Sequence, residues 1–217
     1  DLAITNVWYN YDKVVTFEIS DTQSGINNSQ VAMEEAVYNT DGTLGSWKSF
    51  TGFTNHNNGT VTATFDKYAK YRVSIKDNAG NSQTCEFIVQ IDKADPNNIT
   101  NLDIYYFIKS VKDDVVTEVP YGTSSTKSVF ARMTANFGPA GGIIQFAPVD
   151  DDPQDPANTR DTVTHSKNNV FEAEIKSTVS TGVCYAFTLI SNAVGEDGVT
   201  KNSKRFESTV VILVQQE

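Results

Sequence analysis

The chain has 217 residues, which allows either one large domain or two domains of about 100 residues each. Its net charge of −10 is the opposite of the basic surface that nucleic acid needs, so we expect no nucleic-acid partner. It contains 23 valines and 14 isoleucines but 5 leucines, and β-branched side chains suit pleated sheets, so the composition argues against an all-helical fold.

No apolar run approaches the roughly 18 residues that a membrane-spanning helix needs, so we expect no membrane insertion. The chain begins with Asp1 and shows neither an initiator methionine nor a signal-peptide core. We therefore expect a monomeric segment of a longer protein.

Short apolar segments separated by turn signals recur through the first half and predict β-strands. Polar stretches such as Asp21–Gly25, Asp41–Gly42 and Asn55–Gly59 supply the turns. The predicted strands of this half are Leu2–Tyr9, Val14–Ile19, Gln30–Tyr38, Thr60–Phe65, Tyr71–Ile75 and Thr84–Ile91.

Two of these segments alternate strictly between apolar and polar residues, which predicts strands with one buried face. The residues expected on that face are Tyr71, Val73, Ile75, Cys85, Phe87, Val89 and Ile91.

The polar segment Asp92–Asn98 interrupts the pattern, and we place a domain boundary at Pro96. Strand-like segments then start afresh. They are Ile99–Ile108, Ser128–Ala135, Ile143–Val149, Val170–Ile175, Val183–Ile190 and Arg205–Val214. The sequence thus predicts an all-β protein of two tandem sandwiches, residues 1–96 and residues 97–217.

A short internal match supports two copies of one fold. Lys70–Ala79 aligns with Cys184–Ala193, which places Tyr71 on Tyr185.

The closing strands of the first half resemble those of bacterial immunoglobulin-like domains, which occur in tandem on secreted and cell-surface proteins. The likeness lies in Tyr71–Asn81, with its Lys-Asp-Asn-Ala-Gly-Asn turn, and in Phe87–Pro96. Asp21, Ser24-Gly25-Ile26 and Trp47 are also similar. Residues 97–217 depart from this pattern, because Ser191 stands at the position of Asp77 and the loop before the last strand is longer.

The resemblance implies two immunoglobulin-like β-sandwiches, an extracellular or cell-surface location, and a core that includes or borders Trp47. It also implies a corner tyrosine at Tyr71, whose hydroxyl would bond the backbone. Some members of that family hold calcium with aspartates at domain junctions, which makes Asp77, Asp92 and Asp95 a candidate calcium site. The alternative is that Asp77 caps its own turn while Asp92 and Asp95 are solvated.

A second acidic cluster lies at Asp150, Asp152 and Asp155. Carboxylate oxygens are ligands that calcium prefers, but the run lacks the spacing of an EF-hand, and such a run is usually a solvated loop. Apart from this possible calcium, the sequence predicts no cofactor.

The sequence offers no catalytic constellation. The two histidines, His56 and His165, lie in polar loops of different halves, and the two cysteines, Cys85 and Cys184, also lie in different halves. We expect both thiols to be unpaired, with Cys85 pointing into its core, and we expect no enzyme activity.

Clustered aromatic residues suggest an alternative. Rows of exposed rings stack on sugars, so the chain also fits a carbohydrate-binding module of a larger secreted enzyme, although core packing explains most of its aromatic residues. The residues concerned are Trp8, Tyr9, Tyr11, Trp47 and the run Tyr105–Phe107. Our primary interpretation is a non-catalytic structural or adhesive module, acting as a stalk or binding domain, with a protein or glycan ligand.

Overall fold

In a computed structural model, the structure describes residues 6–122, 128–149, 161–164 (backbone), 169–175 and 182–213. These residues form strands, joined by turns and two single-turn 3-10 helices. None of the described helices is long and apolar enough to cross a membrane. The chain divides into two compact units, which we call unit 1 (residues 1–93 and 193–200) and unit 2 (residues 94–192 and 201–217).

Unit 1 contains two antiparallel sheets. One has three strands in the order β1-β5-β4, and the other has four in the order β3-β2-β6-β7. The strands are β1 (Lys13–Glu18), β2 (Ala32–Val37), β3 (Lys48–Ser49), β4 (Phe53–Asn55), β5 (Thr60–Phe65), β6 (Ala69–Lys76) and β7 (Ser82–Val89). The 3-10 helix Asn28–Gln30 precedes β2.

Unit 2 also contains two antiparallel sheets, in the orders β13-β10-β8-β9 and β12-β11-β14-β15. The strands are β8 (Ile104–Lys112), β9 (Val115–Pro120), β10 (Val129–Thr134), β11 (Gly142–Pro148), β12 (Asp161–Thr164), β13 (Val170–Ile175), β14 (Tyr185–Val194) and β15 (Lys201–Glu207). The last two residues of β14 belong to unit 1. The 3-10 helix Pro96–Asn98 precedes β8.

Both units have the strand order of an immunoglobulin-like sandwich. In unit 1, β1-β5-β4 corresponds to strands B, E and D, and β3-β2-β6-β7 to strands C′, C, F and G. In unit 2, β13-β10-β8 corresponds to E, B and A, and β12-β11-β14-β15 again to C′, C, F and G. The predicted fold class, two tandem immunoglobulin-like sandwiches, is confirmed.

The internal sequence match has a structural counterpart. Tyr71 lies on β6 and Tyr185 lies on β14, each of which is the third strand of its four-stranded sheet. Both tyrosine side chains are buried. The two segments therefore hold the same place in their sandwiches.

The core of unit 1 follows the predicted period of two for most positions. Tyr71, Val73, Phe87 and Ile91 are buried, and Ile75 and Val89 are partly buried against the same core cluster. The alternation therefore identified the correct face of β6 and β7.

Cys85 was expected in this core, and that prediction is wrong, because its side chain is exposed. Cys85 is paired with buried Val73 and lies on β7, the edge strand of its sheet. The facing sheet has three strands and ends at β1, so the two sheets separate at this edge. Alternation assigns the face of a sheet, but the number of facing strands decides whether that face is covered.

Tyr71 is fully buried, but its hydroxyl forms no hydrogen bond with any residue that the structure describes. The expected corner bond to the backbone is therefore not formed there. Burial raises the pKa of the Tyr71 hydroxyl, as desolvation of a phenolate requires.

Unit 2 has its own core cluster between its two sheets. Its largest fully buried side chains are Phe137, Phe171, Phe187, Met133, Ile144, Ile175, Leu189 and Ile212. Tyr106 belongs to this cluster, and its neighbours Tyr105 and Phe107 lie on the opposite face of β8. The three aromatic residues thus alternate faces, as the strand prediction requires.

Candidate recognition surface

The first predicted calcium ligand, Asp77, caps the turn between β6 and β7. Its carboxylate accepts hydrogen bonds from the Asn81 backbone N–H and from Asn81 Nδ2, each at 2.7 Å. Hydrogen bonds from Asn81, outweighing the effect of desolvation, lower the pKa of Asp77. The same turn is held to the preceding loop by Asn78 Nδ2, which donates to the Ser24 carbonyl at 2.9 Å.

The other two ligands of that set lie in different surroundings. Asp95 caps the 3-10 helix Pro96–Asn98 and accepts from the Asn97 backbone N–H at 2.9 Å. Asp92 is 5% exposed, so the expectation that it is solvated is wrong. Its backbone N–H donates to the Tyr9 carbonyl at 2.9 Å.

Within the described residues, no three histidine, cysteine or carboxylate side chains form a group able to hold a metal ion. The second predicted set, Asp150, Asp152 and Asp155, lies outside the described residues. Calcium binding by either set stays a prediction.

The remaining predicted chemical groups are dispersed. His56 Nε2 lies 3.0 Å from Thr62 Oγ1 in unit 1, and His165 lies outside the described residues. Cys85 and Cys184 are both free thiols, as expected. Cys184 is half-buried, next to the first residue of β14.

The exposed thiol of Cys85 lines a groove of about 450 Å³ between the edges of β1 and β7. Apolar side chains including Phe17, Ile19 and Ile75 line the same groove. A thiol on an open edge is accessible to reagents, whereas a half-buried thiol reacts more slowly.

We expect an aromatic disulfide reagent to modify Cys85 at least about tenfold faster than Cys184 in the folded protein, because exposure of the thiolate controls the rate. Time-resolved mass spectrometry of peptides from the native chain measures the two rates. Cys85→Ser removes the fast phase, and Cys184→Ser is the matched control. Equal rates for both thiols would show that the β1–β7 edge is covered in solution.

The aromatic residues of unit 1 do not form a flat row. Trp8 and Tyr38 both pack against Tyr68, with ring centroids 4.7 and 4.2 Å apart. Trp47 is half-buried and lies outside the core cluster. Its ring contacts the Arg72 guanidinium, whose carbon lies 4.4 Å from the ring centroid.

A different constellation lies on the outer face of the β13-β10-β8-β9 sheet. The register places Arg132 beside Glu172 on one side and Tyr105 on the other, and it places Lys109 beside Glu118. We call this set the charged–aromatic face. It consists of Tyr105, Phe107, Lys109, Glu118, Phe130, Arg132 and Glu172.

Arg132 is the centre of this face. Its guanidinium donates two hydrogen bonds to Glu118, at 2.8 and 2.5 Å, and contacts Glu172 at 2.8 Å. It also lies over the Phe107 ring, at 4.5 Å from the centroid. The bidentate geometry fixes the planar guanidinium, and its charge is attracted by the ring face.

Lys109 provides the second cation. Its ammonium lies 4.2 Å from the Phe130 ring centroid and donates to Glu172. Phe107 and Phe130 lie 5.6 Å apart, and Tyr105 stacks on Phe107 at 5.5 Å. Phe107 is 0% exposed although it points away from the core. Two cations, which are held by two carboxylates, therefore cover an aromatic pair on the outside of the sandwich.

Partial burial raises the pKa of Glu172, but hydrogen bonds from Lys109 and Arg132 outweigh it, so the pKa lies below the usual 4.5. A depressed pKa contributes stability that is fully present above the unfolded-state pKa. That stability is lost as the pH falls through the folded-state pKa. We therefore expect part of the acid sensitivity of unit 2 to come from Glu172.

Glu172→Gln is expected to lower the melting temperature of unit 2 at pH 7 and to flatten its decline below about pH 4.5. Calorimetry from pH 7 to pH 3 measures both effects. Glu174→Gln is the matched control, since Glu174 lies on the same strand and forms no ion pair within the described residues. A slope for Glu172→Gln equal to that of the unmodified chain contradicts the assignment.

Sequence reasoning did not identify this face. Tyr105–Phe107 was singled out, but Lys109, Glu118, Arg132 and Glu172 come from four different strands. Tyr105, Phe107 and Lys109 are alternate residues of one strand and therefore share a face, but this pattern alone only weakly indicates a cation–aromatic cluster. The partners depend on the strand register.

No protein-family model matches the chain, and a search of curated proteins finds no match. Among solved structures it is similar to murine CEACAM1b, with 12% identity, 96% of this chain and 95% of that chain covered, and a TM-score of 0.41. It is also similar to a chain in the crystal structure of Dpr11 IG1 bound to DIP-gamma IG+IG2, with 12% identity, 98% and 95% covered, and a TM-score of 0.39. Because the identities and TM-scores are this low, we assign the immunoglobulin-like fold from the strand order of this chain itself.

Proposed function

We propose that this chain is a non-catalytic recognition segment of a secreted or cell-surface protein, and that it binds a protein partner through the charged–aromatic face. The observation that carries the proposal is the Arg132 network. It holds fixed positive and negative groups beside Tyr105, which is 43% exposed. Tyrosine and arginine are enriched where proteins bind one another, and a rigid surface loses little entropy on binding.

The alternative, a carbohydrate-binding module, has less support from the same residues. A sugar stacks on the open face of a ring, but Phe107 is covered by Arg132, and Lys109 lies over Phe130. In unit 1, Trp8 and Tyr38 both pack against Tyr68. The resemblance of residues 1–96 to bacterial immunoglobulin-like domains supports a bacterial extracellular or cell-surface parent protein.

The labelled chain should be tested on an array of extracellular protein domains and, in parallel, on a glycan array. We expect binding to a protein on the first array that falls at least about tenfold in Tyr105→Ala, the effect of losing one aromatic anchor. Tyr11→Ala, on unit 1, is the matched control. Binding that is confined to glycans would favour the carbohydrate alternative, and protein binding that Tyr105→Ala leaves unchanged would remove the proposed face.

Calcium binding by Asp77, Asp92 and Asp95 remains a separate proposal, and it requires residues from both ends of β7 to come together, since Asp77 precedes that strand and Asp92 and Asp95 follow it. It predicts that calcium raises the melting temperature by mass action and that the triple Asp→Ala variant loses this shift. An unchanged melting temperature at millimolar calcium would exclude this site.

A further inference from the structure

The outer edge of β9 is the strongest unassigned feature of the molecule. β9 ends its sheet, and within the described residues no strand pairs with its outer edge. All six residues of β9 are exposed. Four valines of the β8–β9 hairpin are between 49% and 66% exposed, namely Val111, Val115, Val116 and Val119.

The register of the hairpin decides which backbone groups face outward. The Tyr121 N–H donates to the Tyr106 carbonyl at 2.9 Å, so this pair is hydrogen-bonded. Paired positions alternate in an antiparallel ladder, so residues 115, 117 and 119 also bond β8. The N–H and C=O groups of Val116 and Glu118 therefore point away from the sheet, as does the carbonyl of Pro120.

Natural proteins protect such edges with lysines, prolines, bulges or covering segments. β9 contains no lysine, and its proline is the last residue, so Val116 and Glu118 keep their outward N–H groups. Its one charged side chain, Glu118, is paired with Arg132 in a bidentate contact. The edge is thus mostly apolar and β-branched, with a single carboxylate.

We propose that two copies of this chain associate through β9, antiparallel, with Thr117 of one copy opposite Thr117 of the second copy. A twofold axis perpendicular to the sheet then joins two four-stranded sheets into one of eight strands. Val116 and Glu118 exchange backbone hydrogen bonds with Glu118 and Val116 of the second copy. On the other face, Val115 and Val119 lie opposite Val119 and Val115, which are favourable cross-strand pairs.

The neighbouring registers are less favourable. Opposite residues must share a face of the sheet, so one strand can shift past the other only by two residues at a time. One step places Glu118 opposite Glu118 of the second copy, and the step in the other direction places Glu118 opposite Asp114. Both put carboxylates against each other, whereas the proposed register puts none. Charge thus selects the register that also pairs the valines.

This inference does not depend on the proposed function, because it uses neither Tyr105 nor an external partner. It differs from the monomeric segment that we expect from the sequence. When a strand binds to a sheet edge, backbone hydrogen bonds provide the affinity and alternate side chains provide the specificity, and the proposed β9 pairing uses both.

The decisive experiment is a crosslink on the twofold axis. In a Cys85→Ser, Cys184→Ser background, Thr117→Cys places two thiols in a non-hydrogen-bonded antiparallel pair, where side chains are closest. We expect mild oxidation to give a covalent dimer at least about tenfold faster than with Val111→Cys. Val111 is the matched control because it is 66% exposed on the same hairpin but away from the axis. Equal rates for the two variants would overturn the proposal.

Sedimentation equilibrium from about 1 μM to about 1 mM tests the association without a crosslink. We expect a concentration-dependent dimer that Val116→Pro abolishes, because proline removes an outward N–H that the sheet itself does not use. Val119→Lys supplies a second variant, since it introduces a charge on the paired face. A chain that stays monomeric over the whole range would also overturn the proposal.

Discussion

Replacing Phe65 with alanine is expected to lower the free energy of unfolding of unit 1 by about 3–5 kcal/mol, the cost of removing a large aromatic side chain from a packed core. Phe65 is 0% exposed, and its ring lies 4.5 Å from Tyr71, 5.7 Å from Phe50 and 5.6 Å from Phe87. Its removal leaves a cavity at the centre of the unit 1 core. Urea unfolding monitored by tryptophan fluorescence measures the loss, because both tryptophans, Trp8 and Trp47, lie in unit 1.

Phe187→Ala is the matched control, since Phe187 is 0% exposed in the core of unit 2. It should lower the stability of unit 2 and leave the tryptophan transition in place if the two predicted domains fold independently. A fluorescence transition that shifts equally in both variants would show that the units unfold together, contrary to the predicted boundary at residue 96.

Replacing Arg132 with methionine is expected to lower the free energy of unfolding of unit 2 by about 1–3 kcal/mol. The change removes the guanidinium that covers Phe107 and pairs with Glu118 and Glu172. We place the loss below the full value of a buried network because the Arg132 side chain is 32% exposed and partly screened by solvent. Amide hydrogen exchange of β8 and β10 measures this loss of stability, and it is needed because unit 2 contains no tryptophan for fluorescence.

Arg132→Lys keeps the charge but loses the planar fork, and we expect it to recover less than half of the lost stability. Raising the salt concentration should reduce the difference between the unmodified chain and Arg132→Met. Hydrogen exchange in Arg132→Met that matches the unmodified chain within about 0.5 kcal/mol, the spread of ordinary surface substitutions, would mean that the cluster contributes nothing to the fold.

The sequence predicted several strands with nearly correct bounds. Thr60–Phe65 and Val170–Ile175 match β5 and β13, and Val14–Ile19 differs from β1 by one residue at each end. Alternating apolar residues and clear turn signals carry this information locally. The last strand was predicted too late, at Arg205–Val214, because β15 (Lys201–Glu207) is largely polar and partly exposed.

The β8–β9 hairpin was missed for a related reason. Its turn is Asp113-Asp114, with φ of 53° and 60°, instead of the Asn-Gly or Asp-Gly pair that marks such turns. The short strands β3 and β4 were missed because two or three residues carry no periodicity.

The sequence by itself determined the all-β class, the division into two sandwiches and the faces of the central strands. Each of these features follows from local composition or from the two-residue alternation of apolar and polar side chains. The tertiary structure alone decided which predicted faces are covered. Cys85 is exposed because the facing sheet ends at β1, whereas Phe107 is covered from outside by Arg132 and Lys109. The charged–aromatic face and the open edge of β9 exist because long-range pairing sets the register of four strands, and a local pattern contains no information about which strands become neighbours.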